Sequence, residues 1–163
     1  MDPRTKELVA KSVLAKELSA GDVDVVAALM HLHRLEDGQV ITPEGEPDSH
    51  MHVIVNGALA VSRRGPDGTW ENLHVMTAGD LVGELSFLDG TPRYAALRAL
   101  GVTEILSLDR GDLEGLVEKH PWIAYRIMRA IVRFTHGLQR RMSMQSAELM
   151  HYLYKNQDRK SVV

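Results

Sequence analysis

The 163-residue sequence contains no cysteine. This absence excludes disulfide bonds, thiolate metal ligands and a cysteine nucleophile. Charged residues interrupt every apolar run, so the chain has neither a signal-peptide core nor the roughly 20 consecutive apolar residues that a membrane-spanning helix needs. We therefore expect a single globular domain that lies in the cytoplasm and does not span a membrane.

Basic residues are scarce in most of the chain. Residues 1–120 contain 11 Lys and Arg against 20 Asp and Glu, whereas residues 121–163 contain 8 against 2. An acidic body argues against nucleic-acid binding over the whole surface. The basic end is interpreted as the solvated face of a helix, with contact to an acidic partner as the alternative.

Sequence motifs of enzymes are also missing. There is no Gly-rich phosphate loop of the Walker type, and Ser86 has no histidine at a recognisable motif spacing. We predict that the chain is not an enzyme and has no catalytic residues.

The hydrophobic pattern changes twice along the chain. Residues 4–18 and about 22–31 have the spacing of two amphipathic helices, and Ser19 or Asp22 is the predicted N-cap of the second. From Gly38 to Leu108, short runs of Val, Ile and Leu alternate with turn sequences, which is typical of a small all-β domain. Within it, Asn56-Gly57 predicts a turn or a bulge.

The chain becomes helical again near residue 109. Asp109 or Asp112 is the predicted cap of a short helix that ends before Pro121. Beyond it, apolar residues recur at steps of three and four, which predicts one long helix over residues 122–142. The residues of this apolar stripe are Ile123, Ile127, Ile131, Phe134, Leu138 and Met142.

The length of the apolar stripe favours a homodimer through the helix 122–142, packed as a short coiled coil. The alternative is that its first half covers the β domain and the rest folds back at Gly137. We assign residues 1–143 to the main domain and residues 144–163 to a C-terminal helical extension and tail.

The most specific segment is GELSFLDGTPRYAA at residues 83–96, and the turn sequences EGEP and IVNG precede it. Together with the order of helices and strands, these motifs resemble the cyclic nucleotide-binding domain family. That family includes the catabolite activators, the cyclic-nucleotide-dependent kinases and the cyclic-nucleotide-gated channels. The resemblance implies a mainly β fold with flanking α-helices, a jelly-roll-like β-roll with N-terminal helices and a long C-terminal helix.

Residues 83–96 look like that family's phosphate-binding cassette. The resemblance implies that Arg93 binds the cyclic phosphate and that Glu84 accepts a hydrogen bond from the ribose hydroxyl. An arginine fork matches two phosphate oxygens better than a lysine does. Gly83 permits a tight turn. The complete predicted ligand-binding set is Gly83, Glu84, Leu85, Ser86, Arg93, Tyr94 and Ala95. The backbone N–H groups of Leu85, Ser86 and Phe87 are predicted to be further anion donors if they open a short helix.

Two positions depart from the family pattern. Tyr94 follows the arginine where Ala, Ser or Thr is usual, and Ala96 stands where Thr is usual. The tyrosine could stack on a ligand, point away from it or fill the pocket. From the family we predict a regulatory sensor domain that binds cAMP rather than cGMP and signals through its C-terminal helix.

Two alternatives to this interpretation remain at this stage. Glu84 and Arg93 could form a purely structural ion pair, which would leave a ligand-free fold that acts as a dimerisation or protein-interaction module. His50 and His52, two apart on a strand, could be a metal pair in a cupin-like barrel. Only 21 residues follow Met142, too few for the winged helix-turn-helix of the catabolite activators, so we expect no DNA binding by this chain.

Overall fold

A computed structural model describes residues 3–160, with side chains described through residue 155. The chain begins with helix α1 (Pro3–Lys11), a short 3-10 helix (Val13–Lys16) and helix α2 (Ala20–Leu29). The single helix predicted over residues 4–18 is therefore wrong. It breaks after Lys11, where the Ser12 hydroxyl donates to the Val9 carbonyl at 2.7 Å, because serine side chains compete with the helical backbone for hydrogen bonds.

Helix α2 begins with a reciprocal capping box. The Ser19 hydroxyl accepts from the backbone N–H of Asp22, and the Asp22 carboxylate accepts from the N–H of Ser19. Both predicted capping residues thus take part, because each satisfies an N–H group that the first helical turn leaves without an intrahelical acceptor.

The middle of the chain forms one six-stranded antiparallel sheet. Four strands follow the order β1-β6-β3-β4, while β2 pairs with β6 and β5 pairs with β3. This sheet with its flanking helices confirms the predicted mainly β fold. The strands are β1 (His31–Leu35), β2 (Val40–Thr42), β3 (His50–Arg64), β4 (Trp70–Thr77), β5 (Leu81–Val82) and β6 (Ala96–Asp109).

Strand β3 continues through Asn56-Gly57 rather than ending there, so this dipeptide forms a bulge and not a turn. The pairing register with β6 shifts on both sides of Asn56. Gly57 has φ +86°, and a Cβ at this position would lie 2.6 Å from Oγ1 of Thr103. Only glycine fits a left-handed residue this close to the neighbouring strand.

Two helices follow the sheet, α4 (Arg110–Lys119) and α5 (Pro121–Lys160), while a third, α3 (Glu84–Asp89), lies between β5 and β6. Asp109 caps α4 by accepting from the N–H of Gly111 at 2.8 Å. Among the described helices, none is long and apolar enough to cross a membrane.

Helix α5 is longer than predicted and has no break at Gly137. The chain divides into two compact units, and the boundary between them falls within this helix, after Ile131. The first three residues of the predicted stripe, Ile123, Ile127 and Ile131, are buried inside the first unit, so they are core residues and not exposed seam. The backbone is helical through Lys160, and residues 161–163 of the predicted extension and tail lie outside the described residues.

Candidate functional site

The predicted cassette begins at a left-handed glycine. Gly83 has φ +81° and is the N-cap of helix α3, and Gly90, with φ +73°, is its C-cap. The N–H of Phe87 donates to the Gly83 carbonyl at 3.0 Å, so its prediction as an anion donor is wrong. An Asx turn follows, in which the Asp89 carboxylate accepts from the N–H and hydroxyl of Thr91. These local features are built into the sequence, because glycine tolerates positive φ and aspartate closes such turns.

The backbone of Arg93 is held by the turn that carries the EGEP motif. The N–H of Arg93 donates to the carbonyl of Glu46 at 3.1 Å, and the carbonyl of Arg93 accepts from the N–H of Gly45 at 2.8 Å. Two segments nearly fifty residues apart in sequence are thereby joined, and the arginine side chain starts from a fixed position.

The Arg93 guanidinium is buried and faces a carboxylate that sequence reasoning did not select. Its Nε and Nη2 both donate to Oδ2 of Asp48, at 3.1 and 2.8 Å, and Nη2 also donates to the carbonyl of His50 at 3.1 Å. Nη1 donates no hydrogen bond to any described residue. It is also not one of the described polar atoms that are both fully buried and unpaired, so it is accessible from outside the protein. One nitrogen of the fork therefore stays available to an incoming acceptor.

Asp48 is enclosed by donors. Its Oδ2 also accepts from the hydroxyl of Thr42, and its Oδ1 accepts from the backbone N–H of His50 at 2.8 Å. Burial alone would raise the pKa of Asp48, but the approach of His52 and the hydrogen bonds from Thr42, Arg93 and His50 outweigh it and hold this pKa well below its ordinary value. Asp48 is thus an anion beside Arg93 at neutral pH.

His52 lies behind this ion pair. Its ring is 4% exposed; Nδ1 is 2.8 Å from the hydroxyl of Ser107, and Nε2 is 3.7 Å from Oδ2 of Asp48, beyond hydrogen-bond distance. Burial lowers the pKa of His52, and the charges of Arg93 and His50 lower it further, whereas Asp48 raises it. The net shift is downward, so the ring is neutral at pH 7.

The structure brings some predicted residues together and separates others. Gly83 touches the Arg93 guanidinium, and a Cβ on this glycine would lie 2.1 Å from Nη2. Of the remaining predicted residues, Glu84, Ser86 and Ala95 are buried, while Leu85 and Tyr94 are exposed, Tyr94 by 72%. The tyrosine therefore points into solvent and does not fill the interior, which excludes one of the three orientations considered for it.

Sequence reasoning missed Asp48 and gave His52 a different role. Both lie in the segment EPDSHMH, directly after the EGEP turn, and this position was the available signal. The rings of His50 and His52 are stacked with centroids 6.2 Å apart. Across the part of the chain that the structure describes, no group of three or more metal-ligating side chains occurs.

Comparison with known proteins identifies the family of this chain. The sequence model of the cyclic nucleotide-binding domain matches residues 32–120. A CRP-like cAMP-activated global transcriptional regulator of Mycobacterium tuberculosis is 31% identical over 96 residues, which cover 59% of this chain and 43% of the relative. A cGMP-dependent protein kinase of Caenorhabditis briggsae is 30% identical over 114 residues, 70% of this chain and 15% of the kinase.

A solved structure has the same fold. A cyclic nucleotide-binding domain from Methylobacillus flagellatus superposes with a TM-score of 0.77 and 21% identity, covering 85% of this chain and 80% of that one. This chain spans less than half the length of the two curated relatives. The family model covers more than half of the chain and includes both Asp48 and the cassette. The chain therefore belongs to the cyclic nucleotide-binding domain family.

Proposed function

We propose that this chain is a non-catalytic sensor domain of the cytoplasm that binds a cyclic nucleotide, cAMP in preference to cGMP, and reports it through helix α5. The observation that carries the proposal is the state of Arg93. Its guanidinium is oriented by Asp48 and by the His50 carbonyl, while Nη1 has no protein acceptor among the described residues.

The roles of the cassette residues follow from their chemistry. Arg93 would donate through Nη1 to an exocyclic phosphate oxygen, as a charge-assisted hydrogen bond. Glu84 would accept from the ribose 2'-hydroxyl, since a carboxylate only accepts. Gly83 would keep the backbone close to the ligand, with the N–H groups of Leu85 and Ser86 in the unpaired first turn of α3. Tyr94 and Ala95 would flank the phosphate.

Support for cAMP comes from one relative. The Mycobacterium tuberculosis regulator is named as cAMP-activated. Because the cGMP-dependent kinase is a relative as well, both nucleotides belong in the test.

The output would pass through α5. Arg126 pairs with Asp22 of α2, and Nε of Arg129 lies 3.1 Å from Glu17, so the start of α5 is tied by charge to the N-terminal helices. We propose that a homodimer forms through the remainder of the helix 122–142, where Phe134, Leu138 and Met142 are at least partly exposed. DNA binding is not part of the proposed function of this chain.

Calorimetric titration of the purified chain with cAMP and with cGMP tests the proposal. We expect saturable binding of both, tighter for cAMP, and at least tenfold weaker binding by Arg93→Lys, which keeps the charge but loses the fork. Arg63→Lys is the matched control, because Arg63 is an exposed arginine whose fork holds Glu44. Binding of neither nucleotide by the wild type would contradict the proposal.

The second candidate is a ligand-free interaction module of the same fold. One observation favours it: Arg93 already has a carboxylate partner in Asp48, at 2.8 Å, so the site is electrically balanced without a ligand. A wild type that binds neither nucleotide, yet forms a stable dimer, would support this second candidate.

A further inference from the structure

His52 carries an unsatisfied nitrogen at the back of the site. Among the described side chains, only His52 Nε2 and Arg98 Nε are buried nitrogen or oxygen atoms with no hydrogen-bond partner. Such atoms are rare, since an unpaired buried polar group costs about 1–3 kcal/mol. The Nε2 atom faces Oδ2 of Asp48 across 3.7 Å, so a small approach of the two groups would complete a hydrogen bond if Nε2 carried a proton.

Several charged and titratable groups face His52. Asp48 and Arg93 approach from the segments that precede β3 and β6, and His50 stacks on the ring from within β3. On β6, Ser107 holds Nδ1. On β1, His31 lies opposite Ser107 in the antiparallel register, and His33 lies near enough to His31 and His50 for their charges to lower its pKa.

Burial is the main reason why His52 is neutral without a ligand, and the neighbouring charges do not offset it. Asp48 and Arg93 cancel, so a proton on His52 would leave an excess positive charge in a buried site. A cyclic phosphate carries one negative charge. Its arrival at Arg93 changes the balance to an excess negative charge, and a proton from solvent on the His52 ring would cancel it.

We propose that His52 is a positioning residue that takes up a proton when an anionic phosphate binds Nη1 of Arg93, so that Asp48 gains a second cationic partner while Nε and Nη2 of Arg93 stay on it. This inference rests on the proposed function for its ligand. The bond formed is one N–H on the imidazole ring, whose other nitrogen already carries a proton, so that in the bound state Nδ1 faces Ser107 and Nε2–H is directed at Oδ2 of Asp48; the proton comes from the buffer.

The direction in which pH changes the ligand affinity follows from the reciprocity of coupled proton and ligand binding. If the bound anion favours protonated His52, then protonated His52 favours the bound anion by the same factor. Affinity should therefore rise as the pH falls through the range in which liganded His52 titrates, by at most about tenfold per pH unit for a single proton. Below the pKa of the ligand-free ring, both states are protonated and the effect levels off.

The first test measures how many protons the wild-type chain takes up when cAMP binds. Titration with cAMP is repeated in buffers of different ionisation enthalpy at pH 7, and across about pH 5.5 to 8. We expect uptake of a fraction of a proton and several-fold tighter binding at the acid end. Binding of cAMP without proton uptake at any pH would overturn the inference while leaving the proposed function intact.

Variants assign the proton to a residue. His52→Gln, or His52→Asn if that variant does not fold, should abolish both the uptake and the pH dependence. His33→Gln is the matched control and should retain both, since His33 is an exposed residue of the neighbouring strand β1 and contacts neither Asp48 nor Arg93 among the described interactions. If His50→Gln abolishes the pH dependence and His52→Gln does not, the proton belongs to His50 and the inference is wrong.

A ligand-free measurement separates the two proposals. Titration of the His52 ring by NMR should give a higher pKa in Arg93→Gln than in the wild type or in the charge-retaining Arg93→Lys. A higher pKa in a protein that binds neither cyclic nucleotide would support the coupling and contradict the proposed function. An unchanged pKa in folded Arg93→Gln would overturn the coupling.

Discussion

The guanidinium of Arg93 lies so close to the backbone of Gly83 that only glycine fits at position 83. A Cβ on residue 83 would lie 2.1 Å from Nη2, 2.6 Å from Nη1 and 2.7 Å from Cζ of Arg93. These two residues are ten positions apart in the cassette and are in direct contact in the fold. It sets the direction in which the arginine fork faces.

Gly83→Ala should disturb the site more than the fold. The new methyl would force the Arg93 side chain away from Asp48, so we expect at least tenfold weaker cAMP binding, together with about 1–2 kcal/mol of destabilisation from the positive φ. Calorimetry and urea unfolding measure the two effects. Gly38→Ala is the matched control, because its φ of +77° carries the same strain and no atom lies within 4 Å of its Cβ. Equal binding by both variants would contradict the steric argument.

Arg93→Ala should destabilise the ligand-free chain. Removing the cation leaves the Asp48 carboxylate buried without its partner, which costs roughly 3–5 kcal/mol. The double variant Asp48→Asn/Arg93→Ala should recover part of this loss, because no buried charge remains. Urea unfolding of the single and double variants measures the coupling. A single variant as stable as the wild type would show that the ion pair does not contribute to folding.

Tyr94→Ala should leave the free energy of unfolding within about 0.5 kcal/mol of the wild type, because the side chain is mostly in solvent. We expect cAMP binding to be kept or improved, and Tyr94→Thr to favour cGMP relative to Tyr94→Ala. Calorimetric titration with both nucleotides checks this. Loss of all binding in both variants would instead identify the tyrosine as a ligand contact.

Acid should unfold the chain partly through Asp48. Its folded-state pKa lies below the ordinary value of 3.8, so its contribution to stability is present above about pH 4 and is lost as the pH falls through the folded-state pKa. His52 has a lowered pKa as well, and its contribution is lost as the pH falls below about 6.5.

Urea midpoints measured from about pH 7 down to about pH 3 separate these two contributions. Asp48→Asn should be less stable than the wild type at neutral pH and should show a shallower loss below about pH 4. A parallel decline in both proteins would exclude Asp48 as a source of the acid sensitivity.

The proposed homodimer can be tested with substitutions outside the buried core. Phe134→Glu/Leu138→Glu should shift a dimer to monomer in sedimentation, because charge on a helical seam opposes association. Gln139→Glu, on an exposed position of the same helix, is the control and should not change the oligomeric state. A wild type that stays monomeric at high micromolar concentration would exclude the dimer.

The sequence determined the fold class and the starts of helices α2 and α4, because these depend on local signals. The capping box of Ser19 and Asp22, the Asp109 cap, and the change of hydrophobic period between residues 38 and 108 each act over a few residues. The cassette was recognisable for the same reason, since its residues lie within 14 positions. Helix α5 is the exception: its stripe predicted a helix but could not show which neighbours cover it.

Only the tertiary structure decided what faces what. Asp48 lies 45 residues before Arg93, and no local pattern identifies it as the carboxylate at 2.8 Å from that guanidinium. The burial of Ile123, Ile127 and Ile131 in the domain core and the unpaired Nε2 of His52 likewise depend on contacts between distant segments. A hydrophobic period specifies an apolar face but not its partner, and a charge pattern does not specify which buried charges meet, because both depend on how the whole chain packs.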